Sequence, residues 1–309
     1  MKKIFFFIIF LISSQICYSE SLDYKGLKKI SKNSTFMDGK GKPYSEDEIK
    51  DKKNTLLIIY NHGSEEDTST DPCKLKPGFG YTWEGAVVPA ILNLHNKKIE
   101  ELEIKIYRLC SGVKGMSSKE QKKIRKSIEK GEELNLTTEH KQLKRQKIIL
   151  SKTEEFSAQG FENIVLAGWS AGGWASLNLQ SRFPEKFKGS IAFNPAFAGL
   201  KKEWQKKYPH WGAFRKHQVD IFKQTDSLNA IVFAHSNDTF EDPETLSFFR
   251  EFKNIEFVDY SEIKPSNCNW ADVDKKMPSN KGHNLPQSSC VTKYINDNNY
   301  LIKYLKKIF

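Results

Sequence analysis

The sequence predicts an α/β fold with a mostly parallel central sheet, helices on both faces and a helical insertion. Three observations lead there. From about residue 55 onward, short apolar runs alternate with helical patterns, the rhythm of strands joined by crossover helices. Several of those runs are continuously apolar, as strands buried on both faces are. The stretch "NIVLAGWSAGGWASLNL" (163–179) passes from such a run, through a serine between glycines, straight into a helical pattern. A chain of 309 residues is long enough for one such domain with a modest insertion, and no internal repeat suggests a solenoid or propeller.

The chain opens with "MKKIFFFIIFLISSQICYSE", a basic start followed by an apolar run too short to span a bilayer and then small, polar residues. This reads as a secretory signal peptide over residues 1–19, cut near Ser19, and it places the protein in the periplasm or outside the cell. A lipid-modified Cys17 is the competing reading, disfavoured by the bulky Ile16 before it. No transmembrane segment is expected once the leader is gone. Residues 20–54 are polar and lack a strong period, so they read as an irregular lead-in with room for a short strand.

The domain proper is expected over 55–309. "TLLIIY" (55–60) is a strand ending in the turn-rich "NHGSEEDTSTDP"; residues 83–96 suggest a helix begun or interrupted near Pro89; "LEIKIYRL" (102–109) is a strand. Residues 117–131 and 138–158 read as charged amphipathic helices. The charged segment 114–150 is therefore either an elaboration outside the sheet or part of one long packing helix after a small insertion. The rhythm then becomes regular: strand 163–168, helix from Ala171 to about Arg182, strand 189–193, an aromatic stretch at 199–227, strand 230–235, helix from about Pro243 to Phe252, strand 255–260 and a final helix over about 292–307. Ligands of parallel sheets bind at the carboxyl ends of strands, which directs attention to Asn61, Gly168, Asn194, His235 and Tyr260.

Four cysteines remain after the leader: Cys73, Cys110, Cys268 and Cys290. In an oxidising compartment the most local of the three pairings joins Cys73 to Cys110 and Cys268 to Cys290. No CxxC or HExxH spacing is present, so neither a metal nor another cofactor is expected. The net charge of +11, lowered by two when Lys2 and Lys3 leave with the leader, comes mostly from helix-like runs such as "SSKEQKKIRKSIEKGEE". A solvated face explains such runs, and no nucleic-acid-binding module accompanies them.

"GWSAG" (168–172) fits G-x-S-x-G with a strand before it and a helix after it, the context that gives the motif meaning. The flanking glycines give room for a strained reversal, which presents Ser170 and the amide of Ala171 at a helix N-terminus where negative charge is favoured. An ordinary Gly-rich turn or an anion-binding turn would read similarly, but no phosphate-loop fingerprint is present. A nucleophilic serine needs a base, and the base needs an acid, here in the order Ser, acid, His. "SNDTFEDP" after the fifth strand offers Asp238, with Asp242 as second choice and Asp259 as third; His283 in "NKGHNLP" is the one histidine after the acid. "YNHGS" (60–64) ends the first strand of the domain where a second oxyanion donor belongs, the amide of Ser64.

With "HGS", "GWSAGG", "SNDTFEDP" and "KGHN" in this order, the chain resembles the α/β-hydrolases over about residues 55–305. Within them it is similar to the dienelactone-hydrolase-like, serine acyl hydrolase branch, although dienelactone hydrolases proper carry Cys where this chain has Ser170. "GWSAGG" also resembles the elbow of prolyl-oligopeptidase-type serine peptidases. The resemblance implies Ser170 as nucleophile, His283 as base, Asp238 as acid, and the amides of Ala171 and Ser64 as oxyanion donors. It implies a serine hydrolase acting on a small-molecule or acyl ester, with peptide cleavage and a non-catalytic binding module as the alternatives. The loops 61–85 (Phe79, Tyr81, Trp83) and 194–227 (Phe197, Trp204, Tyr208, Trp211, Phe214) are where substrate selection or a lid would lie, unless these aromatics are core.

Overall fold

Strand Thr55–Asn61 is buried at every position, and its side chains divide by period two between two layers. Leu56, Ile58 and Tyr60 enter one apolar cluster, Leu57 and Ile59 the other. A strand so covered must sit inside a sheet with helices on both faces. The computed structural model describes residues 34–64, 86–111, 141–197, 209–225, 228–268 and 281–309, with residues 73, 75–76, 80–81, 122, 126–127, 129–130 and 201 between them. The leader at 1–19, Cys17 and the helix expected at 117–131, apart from a few isolated positions, lie outside the described residues.

The strands are β1 (Thr35–Met37), β2 (Pro43–Tyr44), β3 (Thr55–Asn61), β4 (Leu75–Lys76), β5 (Gly80–Tyr81), β6 (Lys98–Ile99), β7 (Leu102–Leu109), β8 (Asn163–Trp169), β9 (Gly189–Phe193), β10 (Ala230–Ala234) and β11 (Ile255–Asp259). The central sheet runs β11-β10-β9-β8-β3-β7-β1-β2, with β6 turned against the start of β7 and β4–β5 a separate ribbon. From β7 to β11 every neighbouring pair is parallel; β1 and β2 add an antiparallel edge drawn from the lead-in. The lead-in, read as irregular with room for a short strand, thus contributes two.

The helices include α1 (Pro89–Leu92), α2 (Lys141–Ala158), α3 (Ala171–Arg182), α4 (Pro209–Phe222), α5 (Ser289–Asp297) and α6 (Tyr300–Ile308), and a further single turn, Lys281–Asn284, carries His283 ahead of α5. Ala90 and Ile91 of α1, Val291 and Ile295 of α5, and Leu301, Tyr304 and Leu305 of α6 pack on one face. Ile149 and Phe156 of α2 and Ala175 and Leu179 of α3 cover the other face beside β3, while Trp174, Leu177 and Phe222 continue it toward β10. The end of the charged run, Lys141–Ala158, is thus a helix that packs against the sheet, and most of 114–140 lies outside the described residues.

Three helices are shorter than their patterns suggest. The one expected over 83–96 is a single turn among the described residues, Pro89–Leu92, after which Asn96 adopts φ 61° and the chain enters β6. The helix expected over 243–252 is a 3-10 turn, Ser247–Glu251. The last helix is broken in two by Asn299, whose left-handed backbone (φ 54°, ψ 29°) redirects the chain so that α6 can press Tyr304 against Gly189.

Both disulfides join the most local partners: Cys73–Cys110, with Cα atoms 5.6 Å apart, and Cys268–Cys290, at 5.4 Å. The second closes a separation of 22 residues and ties the chain after β11 to the start of α5, around the segment that carries His283. Replacing Cys268 and Cys290 together by Ser should lower unfolding free energy by about 3 kcal/mol in urea titration, the chain entropy of that loop. An unchanged midpoint would show that the bridge constrains nothing the fold does not already hold.

Candidate active site

The polypeptide leaves β3 toward β7 and leaves β8 toward β9, on opposite sides, although β3 and β8 are hydrogen-bonded neighbours. Their carboxyl ends therefore flank a crevice, and the register Asn61↔Gly168 brings the "HGS" loop and Ser170 out side by side. The reversal from β8 into α3 is abrupt. Ser170 takes φ 54° and ψ −125°, a strained conformation for a residue with a side chain, and is held there by its amide on Phe193 O (3.0 Å) and its carbonyl accepting from Ala196 N (3.1 Å). The first turn of α3 then lies directly on the end of β3. A Cβ at Gly172 would stand 2.1 Å from Asn61 O and 2.5 Å from His62 O, so only glycine allows this approach.

Ser170 Oγ is 2.8 Å from His283 Nε2, and His283 Nδ1 is 2.7 Å from Asp238 Oδ2. The other carboxylate oxygen, Oδ1, accepts from the amides of Phe240 (2.8 Å) and Glu241 (3.4 Å), which aims Asp238 at the imidazole. Asp242 instead pairs with Lys201 and caps Thr245, and Asp259 bonds Ser261, so neither alternative carboxylate reaches the histidine. With the imidazole N–H directed to Asp238, Nε2 is the acceptor for the serine hydroxyl. Asp238 and His283 are both buried; Ser170 is half-buried.

Several residues that hold this chain went unassigned in the sequence. The carbonyl of His283 accepts from Trp169 Nε1 (2.9 Å) and Asn194 Nδ2 (3.1 Å), and Tyr260 OH donates to Asn194 Oδ1 (2.7 Å). Asn194 and Tyr260 stand at strand ends, the one positional hint legible from the pattern of apolar runs. The ring of Phe240 lies 4.4 Å from that of His283. Under the acid loop, Glu241 is fully buried against Arg215 of α4 (2.6 and 2.9 Å); burial pushes its carboxyl up to about 7, against the pull of Arg215.

Ala171 opens α3, and Ser64 follows the Gly63 turn at the end of β3. His62 is fully buried; its Nδ1 donates to Gly63 O and its Nε2 accepts from Ser111 N (3.3 Å), the neutral tautomer. Burial, reinforced by Arg145 and Arg108, holds its pKa well below the usual histidine value. His62, Cys73 and Cys110 form the metal-like grouping among the described residues, their ligand atoms within 4.8 Å, but the two sulfurs are bonded to each other.

Of the aromatics expected to line a lid, Phe197 is buried against Trp174 at 5.6 Å, a core contact. Phe79, Trp83, Trp204 and Tyr208, and the side chains of Tyr81, Trp211 and Phe214, lie outside the described residues. No helix among the described residues is long and apolar enough to cross a membrane.

A serine on the elbow after β8, a carboxylate after β10 and a histidine after β11, on a mostly parallel sheet, define the architecture. The fold is that of the α/β-hydrolases. No protein-family profile and no curated protein matches the chain. Among solved structures, it is similar to Est1E from Butyrivibrio proteoclasticus at 12% identity and TM-score 0.46, covering 88% of this chain and 98% of that one. It is also similar to a structure from the metagenome-derived lipolytic enzymes LipS and LipT, at 9% identity and TM-score 0.47 with 89% and 99% covered. With oligopeptidase B from Leishmania major the identity is 13% and the TM-score 0.43, covering 91% of this chain and 37% of that one.

Two outcomes follow from this packing. Gly172→Ala should destabilise the protein by about 3 kcal/mol in urea unfolding, because backbone must move to admit the methyl; a variant as stable as the native protein would refute the backbone stacking. His62 stays neutral in the fold but gains a proton when unfolded below about pH 6.5, so its contribution to stability is present above that pH and lost as pH falls. Glu241, raised in the fold, contributes in the opposite sense. Comparing unfolding free energies of native protein and His62→Asn isolates the first effect: the gap between them should narrow from about pH 7.5 to about pH 5. A gap that stays constant would contradict it.

Proposed function

We propose that this protein is an exported serine hydrolase that cleaves carboxylic esters through an acyl-enzyme on Ser170. The observation that carries the reading is the continuous hydrogen-bonded chain from Ser170 Oγ through His283 to Asp238, at 2.8 and 2.7 Å. His283 Nε2 takes the hydroxyl proton as Oγ adds to the ester carbonyl, and Asp238 stabilises the imidazolium formed. Negative charge develops on the former carbonyl oxygen and is received by the amides of Ala171 and Ser64. The imidazolium then protonates the departing alcohol. Water, deprotonated by the same nitrogen, releases the acid and restores the serine.

Support for export is chemical. Two disulfides form in an oxidising compartment, and the leader-like residues 1–19 would deliver the chain to one. Residues 55–309 are then the catalytic domain, with 20–54 supplying its antiparallel edge.

A fluorophosphonate probe should label the native protein on Ser170 and leave Ser170→Ala unlabelled. Equal labelling of both, or none of the native protein, would end the proposal. With p-nitrophenyl esters, Asp238→Asn should lower kcat by about 10⁴-fold, because the wrong imidazole tautomer would face the serine. A parallel panel of aminoacyl and peptidyl amides tests the bond cleaved: faster turnover of amides than of esters would replace esterase by peptidase.

A further inference from the structure

Arg145, in the middle of α2, is 1% exposed, and among the described residues its guanidinium meets no carboxylate; its partners there are all on the loop after β3. Nη1 donates to His62 O (2.6 Å), and Nη2 donates to Gly63 O (3.3 Å) and Ser64 Oγ (3.1 Å). Burying a cation without a counter-charge is costly, and burial lowers the pKa of this one to about 10.

The carbonyl of Gly63 and the amide of Ser64 belong to the same peptide plane. That carbonyl accepts from both Arg145 Nη2 and His62 Nδ1, and His62 is in turn fixed by Ser111. Two donors on the oxygen fix the plane's rotation, and a cationic one polarises it so that the N–H on its far side becomes a stronger donor. The loop also abuts the serine corner, since a Cβ at Gly63 would lie 3.5 Å from Ser170 Cβ and 3.0 Å from the Trp169 ring.

We propose that Arg145 is a positioning residue for catalysis: it locks and polarises the Gly63–Ser64 peptide so that the Ser64 amide receives the developing oxyanion. This rests on the serine hydrolase reading given above. Arg145 touches no reacting atom. Its effect is therefore felt when negative charge appears on the substrate oxygen, and little on substrate binding.

The test uses Arg145→Met and Arg145→Lys, each first shown to melt cooperatively, with p-nitrophenyl butyrate as substrate and butaneboronic acid as a tetrahedral mimic that adds to the serine. Arg145→Met should lower kcat about 10²-fold with KM changed less than about two-fold, and weaken boronate inhibition in proportion to kcat/KM. Arg145→Lys, which keeps the charge but cannot span the three acceptors, should recover part of the loss. If Arg145→Met does not fold, Arg145→Lys carries the test alone, with an expected drop of about ten-fold in both readouts. Unchanged kcat and boronate affinity in a folded variant, or a loss confined to KM, would overturn the assignment while leaving the hydrolase reading intact. Native protein that neither turns over ester nor takes the fluorophosphonate would instead remove that reading, and this assignment with it.

Discussion

The site depends on one backbone-to-backbone contact: the first turn of α3 resting on the ends of β3 and β8. Gly172 lies against the carbonyls of Asn61 and His62, and a Cβ at Gly168 would stand 2.4 Å from Gly172 C. Because no side chain intervenes, the separation of the two strand ends from the helix is set by main-chain dimensions alone. Ser170 has no conformational choice within that turn, and its positive φ follows from the geometry. Strain of this kind persists only where surroundings over-determine it. Here they do: Phe193 and Ala196 clasp the serine backbone from the β9 side, while Asn61 Nδ2, donating to Ala167 O (3.2 Å) and Ser176 Oγ (3.0 Å), fastens β3 to α3.

The same logic extends outward to the loops that carry the other polar groups. Each is fixed through its backbone, leaving the functional atom unencumbered. His283 is held by its carbonyl, between Trp169 and Asn194, and its ring is left to bridge Ser170 and Asp238. Asp238 spends one oxygen on the amides that follow it and keeps the other for the imidazole. In this way three loops from three different strands reach a common geometry, and the ion pair Arg215–Glu241 braces the acid loop from below.

What the sequence discloses and what it hides divide along a physical line. Continuous apolar runs mark β3, β8, β9 and β10, strands covered on both faces, and alternation of apolar and charged residues marks β7; β8, β9 and α3 fall within a residue of where the pattern puts them. The Ser, acid, His order is legible for the same reason that the chemistry is: few residue types can do it, and the parallel sheet allows few positions. Arg145 was hidden by its neighbours. In "KQLKRQK" it looks like one more solvated charge, yet Gln142, Arg145 and Gln146 share a helical face that is buried. Composition hid β1 and β2 too, since strands of three and two residues carry no period to detect. Asn299 gave no warning of the break between α5 and α6, because Asn is compatible with both helix interior and left-handed turn.

Among the described residues, the cation on the buried face of α2 meets carbonyl and hydroxyl oxygens rather than a carboxylate, which has an electrostatic meaning. An ion pair would satisfy the guanidinium, but it would cancel its field, and the pair would act at a distance only as a weak dipole. Carbonyl and hydroxyl partners take up Nη1 and Nη2 and leave the charge intact, while Nε meets no acceptor among the described residues. In a low-dielectric interior that charge acts strongly over a few ångströms. His62, neutral because it is buried beside Arg145 and Arg108, adds a hydrogen bond without adding charge, so the loop is fixed by two donors of which one is cationic. A neutral ester would feel little of this arrangement, whereas an oxyanion forming beside the Ser64 amide would feel all of it. If the Ser64 amide receives the oxyanion as proposed, the arrangement favours the charged state of the reacting oxygen over the ground state, the discrimination that catalysis requires.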